Sequence, residues 1–252
     1  MYSEFNLPIY KLAMIYGVSD STLREYMIKN GLISKGHKCG KNSNNDYFKN
    51  IDSFDKAYFL GLLAADGSIV KRNGTNSWSV TLCLTEEDEY ILHRFNEYGK
   101  FKQKIRTIHA KDPKPRKEIH INSFNMKKDL EKYGIIPRKS YTDSVFIPQM
   151  PHHLIGHFIR GYFDGNGIAF SNGNIGFCGS KKIIEDIHDF LIKELNISNR
   201  AITYNKQNHV YYTQWNRKEE IEKIFEFLYK DCKDLFLTRK HTKIHKKIRP
   251  AA

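Results

Sequence analysis

FIRGYFDGNGIAF, Phe158 to Phe170, is an apolar helix-like run ending in Asp-Gly-Asn-Gly, and it echoes FLGLLAADGSIV, Phe59 to Val70, lying 100 positions earlier. Gly61 and Gly161, and again Gly67 and Gly167, stand at equal offsets, which makes an internal repeat the main organising fact of the chain. Gly61 and Ala65 share one helix face, as do Gly161 and Gly165, so two such helices can approach until their backbones nearly touch. The helix ends then lie side by side, with Asp66 next to Asn166 at the middle of a pseudo-twofold surface. A symmetric pair of carboxylates there is suited to holding Mg²⁺ for phosphodiester cleavage. Here one of the pair is an asparagine.

Each motif opens a similar series of elements. In the first copy a helix near 54–65 leads to strands that turn at Asn73-Gly74, with Val80, Leu82 and Leu84 alternating toward the core. Thr85-Glu86-Glu87-Asp88 resembles a capping box for a helix running to about Tyr98. KIRTIH and KEIHINS read as a further strand pair, before a helix over 124–133. In the second copy, strands near 168–171 and 174–178 join through Asn172-Gly173, and a helix runs from Ser180 to Leu195. Strands near 200–205 and 209–215 follow, then a helix 217–230 capped by Asn216 with Glu219. The fold class this predicts is α+β: two pseudo-symmetric αββαββα repeats, residues 51–148 and 149–252, the second ending in a basic tail.

Ahead of them, residues 1–33 predict a small all-α helix-turn-helix unit, two short helices joined by Gly17-Val18-Ser19. Leu12, Ala13 and Ile15 form the inner face of the first helix. Asp20 or Ser21 caps the second, whose Leu23 and Met27 turn inward with Ile28 beside them. Ser21, Thr22 and Arg24 then lie at the exposed start where such units meet the major groove. The other reading is a helical hairpin that only packs on the rest of the protein. Residues 34–50 are polar and basic, a linker suited to following a phosphate backbone. His37 and Cys39 are too few there to argue for a metal.

Among the 252 residues, 40% are hydrophobic and 13% aromatic, enough to bury a core. The net charge of +13 implies a polyanionic partner, nucleic acid ahead of an anionic membrane. No apolar run reaches the roughly 18–20 residues that span a bilayer, and the N-terminus lacks signal-peptide zoning, so an intracellular setting is expected. Abundant Lys, Asn and Ile point to an AT-rich genome: a bacterial or phage-infected cytoplasm, or an organelle. Cys39, Cys83, Cys178 and Cys232 stand far apart without C-x-x-C and read as reduced thiols. No P-loop, G-x-S-x-G or dinucleotide fingerprint is present. His153 and His157 in HHLIGH have metal-holding spacing but no following Glu, and are expected to face solvent or DNA.

FLGLLAADG (Phe59 to Gly67) and IRGYFDGNG (Ile159 to Gly167) resemble the motif of single-chain LAGLIDADG homing endonucleases, and the resemblance covers roughly residues 51 to 247. It implies two sheets forming a saddle in adjacent major grooves of double-stranded DNA, with the motif helices ending over the scissile phosphates. Asp66 and Asn166 map onto the metal-ligand position, with Ala65 and Gly165 beside them at the metal, and Asp164 onto the motif's other acidic position. The implied cofactor is Mg²⁺, with Mn²⁺ or Ca²⁺ substituting in binding. The implied target is long and pseudo-symmetric, and one protomer suffices because both half-sites are in one chain. Lys139 and Lys240, in ProArgLysSer and ThrArgLysHis, follow the two motifs at nearly equal distances. The family places a lysine near each active site; the alternative is ordinary basic residues, like their neighbours Arg138 and Arg239, touching DNA backbone.

Alternation turns Ser79, Thr81, His120 and Asn122 toward DNA, with Lys104 and Arg106 on the preceding strand. In the second half Thr203, Asn205, Lys206, Tyr211 and Thr213 take that role, where the alternation is poorer. A solvated sheet face is the alternative for all of them. Asparagine keeps the shape of aspartate without its charge, so it preserves the fold while weakening metal binding. Asp164 lies roughly 200° round the helix from Asn166 and does not replace it. DNA binding is therefore expected to survive with double-strand cleavage reduced or lost. An inactivated form, a strand-nicking enzyme using Asp66, and a binding protein that no longer cuts, either a regulator or an RNA-splicing maturase, all remain open.

Overall fold

The computed structural model of the chain describes residues 9–30, 32, 44–71, 77–108, 115–170 and 172–249. The Asn73-Gly74 turn, His37 and Cys39 with most of the linker, and the chain ends lie outside them. Helices α1 (Ile9–Ile15) and α2 (Asp20–Lys29) precede the first repeat. That repeat runs α3 (Phe54–Asp66), β1 (Gly67–Lys71), β2 (Trp78–Thr85), α4 (Glu89–Tyr98), β3 (Ile105–Ile108), β4 (Arg116–Asn122) and α5 (Phe124–Lys132). The second runs α6 (His152–Asn166), β5 (Gly167–Ala169), β6 (Ile175–Gly179), α7 (Lys181–Leu195), β7 (Thr203–Asn205), β8 (Val210–Trp215) and α8 (Lys218–Tyr229). Each repeat folds its strands into one antiparallel sheet of the same order, β1-β2-β4-β3 and β5-β6-β8-β7.

Helices α3 and α6 form the spine. Nearly every residue of α3 from Ala57 to Ala65 is buried, as expected of a helix that is apolar all round. Their backbones meet at the glycines. A Cβ on Gly61 would stand 2.0 Å from the Phe158 carbonyl oxygen, and one on Gly161 would stand 1.9 Å from that of Tyr58. The same crowding explains the last motif glycine: each helix turns straight into a strand, and a Cβ on Gly67 or Gly167 would strike the carbonyl of Leu63 or Phe163.

Each sheet lays its inner face on this spine. Val80, Leu82, Ile119 and Ile121 are buried against α4 and α5, joined by an aromatic cluster of Phe48, Phe59, Phe95 and Phe101. In the second repeat Phe163, Phe177 and Trp215 stack edge to face, and His188 lies flat on Trp215.

Several local expectations are corrected. Thr85 does not cap the backbone: its hydroxyl donates to Asp88, a 3-10 turn fills Glu86–Asp88, and α4 begins at Glu89. Arg217, not Asn216, holds the N-cap position of α8. Ser19 caps α2, its hydroxyl accepting from the Thr22 amide. Leu12, Ala13 and Met27 are buried, but Ile15 is 67% exposed because α1 ends there. The basic tail is a helix, α9 (Thr238–Ile248), with Ile244 and Ile248 buried.

Arg160 is fully buried where the first repeat has Leu60. Its guanidinium donates to the carbonyls of Leu235 (2.8 Å) and Leu228 (2.9 Å), the latter in the last turn of α8. It also donates to His157 Nδ1 at 2.9 Å and packs over the Tyr58 ring. His157 is thus half-buried and tied to Arg160, whereas His153 is exposed. An imidazole that accepts from a guanidinium must be neutral, and burial with the Arg160 charge pulls its pKa down from 6.5 to about 4.

Two predictions follow from this packing. Gly61→Ala forces the spine apart and lowers stability by about 2–3 kcal/mol in urea titrations, whereas Gly156→Ala, whose Cβ meets a side-chain atom of Phe227 at 3.2 Å, is near neutral. The unfolded chain protonates His157 near 6.5 and the native chain only near 4, so stability falls as pH drops through that window. With its solvent-open side screened, the loss is on the order of 1–2 kcal/mol, and His157→Gln flattens that part of the profile.

Candidate active site and nucleic-acid interface

The spine delivers Asp66 and Asn166 to one place. A Cβ on Gly165 would lie 2.3 Å from the Ala65 Cβ and 3.0 Å from Asp66 Oδ2, so the Asp66 carboxylate rests against the end of the opposite helix. Asp66 is open to solvent on one side. The crowded protein on its other sides pushes its pKa up, while Lys240, Lys139, Arg239 and Arg116 pull it back. Asn166 is half-buried, its amide donating to Tyr162 Oη at 3.4 Å. Tyr162 donates in turn to the Cys178 carbonyl, and the Cys178 thiol to the Asn166 carbonyl.

Lys139 and Lys240 both arrive at this centre, and both are buried. Lys139 Nζ donates to the Ala65 carbonyl at 2.8 Å, and Lys240 Nζ to those of Phe163, Gly165 and Gly167 at 2.7, 3.3 and 2.6 Å. The last turn of a helix leaves carbonyls unpaired and carries partial negative charge, and the ammonium groups answer both. Burial pulls each lysine pKa down to about 8, against the opposing pull of Asp66 on Lys139 and of Asp164 on Lys240.

Asp164 faces the other way, as its helical position requires. It is buried, and its Oδ2 accepts from Tyr58 Oη at 2.8 Å and from the Leu237 amide at 3.0 Å. Burial pushes its pKa up to about 6. Among the described residues no group of three or more His, Cys, Asp or Glu could hold a metal. The donors at the helix ends fit one divalent ion, at the solvent-open Asp66 carboxylate, completed by water and phosphate oxygens. Asn166 offers a neutral oxygen, and the Ala65 and Gly165 carbonyls already accept from the lysines.

The outer sheet faces partly match expectation. Lys104, Arg106 and Asn122 are exposed, as is Arg138, at a left-handed φ of 60°. Ser79 and Thr81 lie on that face but are covered by His120, whose Nδ1 is 3.5 and 3.2 Å from their hydroxyls and whose Nε2 is 2.6 Å from Glu118. Glu118 and Arg116 belong to the face by the alternation that gives His120 and Asn122, and sequence reading passed over them. In the second sheet the register removes Thr213 from the outer face: it pairs with Phe177 and is 1% exposed. Tyr211, opposite Gly179 on the same face as Thr213, is half-buried and reaches the cleft beside the helix ends. Tyr212 and Gln214 face outward instead, beside Thr203. Asn205 faces outward, but its Oδ1 accepts the Gln207 and Asn208 amides and closes the turn, leaving Lys206 exposed. In α2, the Ser21 and Thr22 hydroxyls bond to Ser19, and Arg24 is half-buried.

Arg239 is engaged within the protein. It pairs with Asp88 at 3.0 Å and Glu87 at 3.5 Å, joining α9 to the first repeat, where Tyr90 also donates to the Phe236 carbonyl.

No family model and no curated protein matches this chain. Solved structures do. I-DmoI in complex with DNA and calcium is 15% identical, covering 76% of this chain and 97% of its own, with a TM-score of 0.54. The LAGLIDADG homing endonuclease I-SmaMI bound to cleaved DNA is 13% identical, covering 77% and 87%, at 0.53. An I-DmoI variant with its target DNA and magnesium gives 16%, 74%, 99% and 0.51. The fold is that of the LAGLIDADG homing endonucleases. Arg239→Ala is expected to cost about 1–2 kcal/mol of stability, read by thermal unfolding, while leaving sequence preference on DNA unchanged.

Proposed function

We propose that this protein is a site-specific double-stranded DNA endonuclease of the homing type, dependent on a divalent metal and reduced to nicking. The observation that carries this reading is the solvent-open Asp66 carboxylate at the paired helix ends, flanked by Lys139 and Lys240 and facing Asn166 where a second carboxylate would complete the site. A divalent ion at Asp66 supplies charge neutralisation at the scissile phosphate and a more acidic bound water. Lys139 and Lys240 hold the helix ends rigid and add positive potential under the phosphate. Arg106, Lys104, Arg138, Asn122 and Lys206 track the duplex, with Glu118 and His120 among the base-reading groups. A single chain serves as the working unit, and α1–α2 add a second contact with DNA.

A second reading is favoured by the same lysines. Two ammonium groups facing one carboxylate leave the centre without the negative charge that draws a cation, which suits a binding protein that no longer cuts.

The test is to select a target from a randomised duplex library and resolve each strand after incubation in Mg²⁺. The parent is expected to nick one strand, Asn166→Asp to cut both, and Asp66→Asn to cut neither while still binding. Specific, salt-dependent binding with no scission by parent or Asn166→Asp establishes the binding protein instead. Absence of any specific duplex affinity removes both readings.

A further inference from the structure

The two halves differ beside the paired helix ends. In the first, the 3-10 turn leading into α4 carries Glu86, Glu87 and Asp88, and Arg239 closes against Glu87 and Asp88. In the second, the start of α7 carries Lys181 and Lys182, and Arg138, the counterpart of Arg239, turns away to solvent. A cleft of about 780 Å³ runs outward from the Asp66, Asn166 and Lys139 centre, between the β7–β8 hairpin, the start of α7 and the 139–143 turn. That volume lies in the roughly 300–1,000 Å³ range of sites for small organic ligands.

Its walls are aromatic and basic. Tyr141 is 89% exposed and Tyr204 42% exposed, both lining the cleft with Tyr211. The Tyr204 and Tyr211 rings lie 4.8 Å apart, and Tyr204 Oη is bonded to His209 Nδ1 at 3.0 Å, which fixes the ring in place. Lys181, on the wall, is held only at 3.6 Å by Glu185, while the neighbouring Lys182 is closed against Asp186 at 2.6 Å. The acidic groups are accounted for: Asp143 caps the Lys182 amide at 2.8 Å, and Asp66 marks the inner end. Exposed tyrosine rings beside a loosely held ammonium form a combination that takes a flat base and a phosphate together.

We propose that this cleft binds one nucleotide unit, its base on the tyrosine wall and its phosphate toward Lys181. The inference rests on the DNA-binding reading and adds a single-nucleotide site to it. The unit comes either from the bound duplex by extrusion or from a separate single strand, and the chemistry of recognition is the same.

The full chain is titrated with labelled oligothymidylate and, separately, with its selected duplex carrying 2-aminopurine at successive central positions. Tyr204→Ala and Tyr141→Ala preserve every charge, so non-specific attraction to the cationic surface is unchanged in them. Roughly tenfold weaker oligothymidylate binding in these variants, with sequence-specific duplex binding retained, supports the site. A 2-aminopurine emission change that disappears in Tyr204→Ala identifies the duplex as the source; oligothymidylate binding without such a change identifies a separate strand. Parental oligothymidylate affinity in both variants, with no tyrosine-dependent emission change, overturns the proposal. Duplex affinity in the same samples reports folding and the DNA-binding reading independently.

Discussion

Contact between the Gly61 and Gly161 backbones is the constraint on which the rest of the structure depends. Because neither position has a Cβ, α3 and α6 close to the point where any side chain there would overlap a carbonyl of the other helix. That distance sets where both helices end and where the two sheets begin, since Gly67 and Gly167 start their strands without an intervening loop. The candidate centre is therefore a by-product of packing: Asp66 and Asn166 meet because the glycines below them leave no room for another arrangement.

Symmetry of the spine does not extend to its supports. Where α3 has Leu60 and Ala64, α6 has Arg160 and Asp164, both buried. Arg160 holds the Leu235 carbonyl and Asp164 holds the Leu237 amide, which together fix the segment leading into α9. Three residues beyond Leu237 comes Lys240, whose ammonium returns to wrap the end of α6. Lys139 has a shorter tether, a single bond to Ala65 from a turn that follows Arg138 in a left-handed conformation. One lysine is clamped through the core and makes three bonds to the end of α6, while the other sits on a turn and makes one to the end of α3.

Much of this was legible in the sequence, and the exceptions have physical causes. The repeat, the two spine helices and their small-residue faces could be read because steric exclusion leaves few residue choices at a close helix crossing. The first sheet was legible because Val80, Leu82, Ile119 and Ile121 alternate cleanly against polar neighbours. The second sheet was not: β8 reads Val-Tyr-Tyr-Thr-Gln-Trp, with tyrosines on both faces, and Thr213 is buried although its residue type suggests a surface. In α9 the many lysines and histidines mask Ile244 and Ile248, which alone mark its buried side. Arg239 and Asp164 find their partners across long stretches of chain, which no local pattern records.

Electrostatics at the helix ends ties these points to function. An intact pair of carboxylates would balance the two buried lysines and leave the centre near neutrality before any cation arrived. With Asn166, Asp66 alone faces Lys139 and Lys240, and the surplus positive charge sits where a cation would have to enter. The same surplus attracts a phosphate. An asparagine at this position leaves less negative charge than an aspartate would, in nearly the same space, and its amide reaches Tyr162. Under the proposed reading, weaker hold on a cation and unchanged attraction for phosphate are coupled consequences of one neutral side chain.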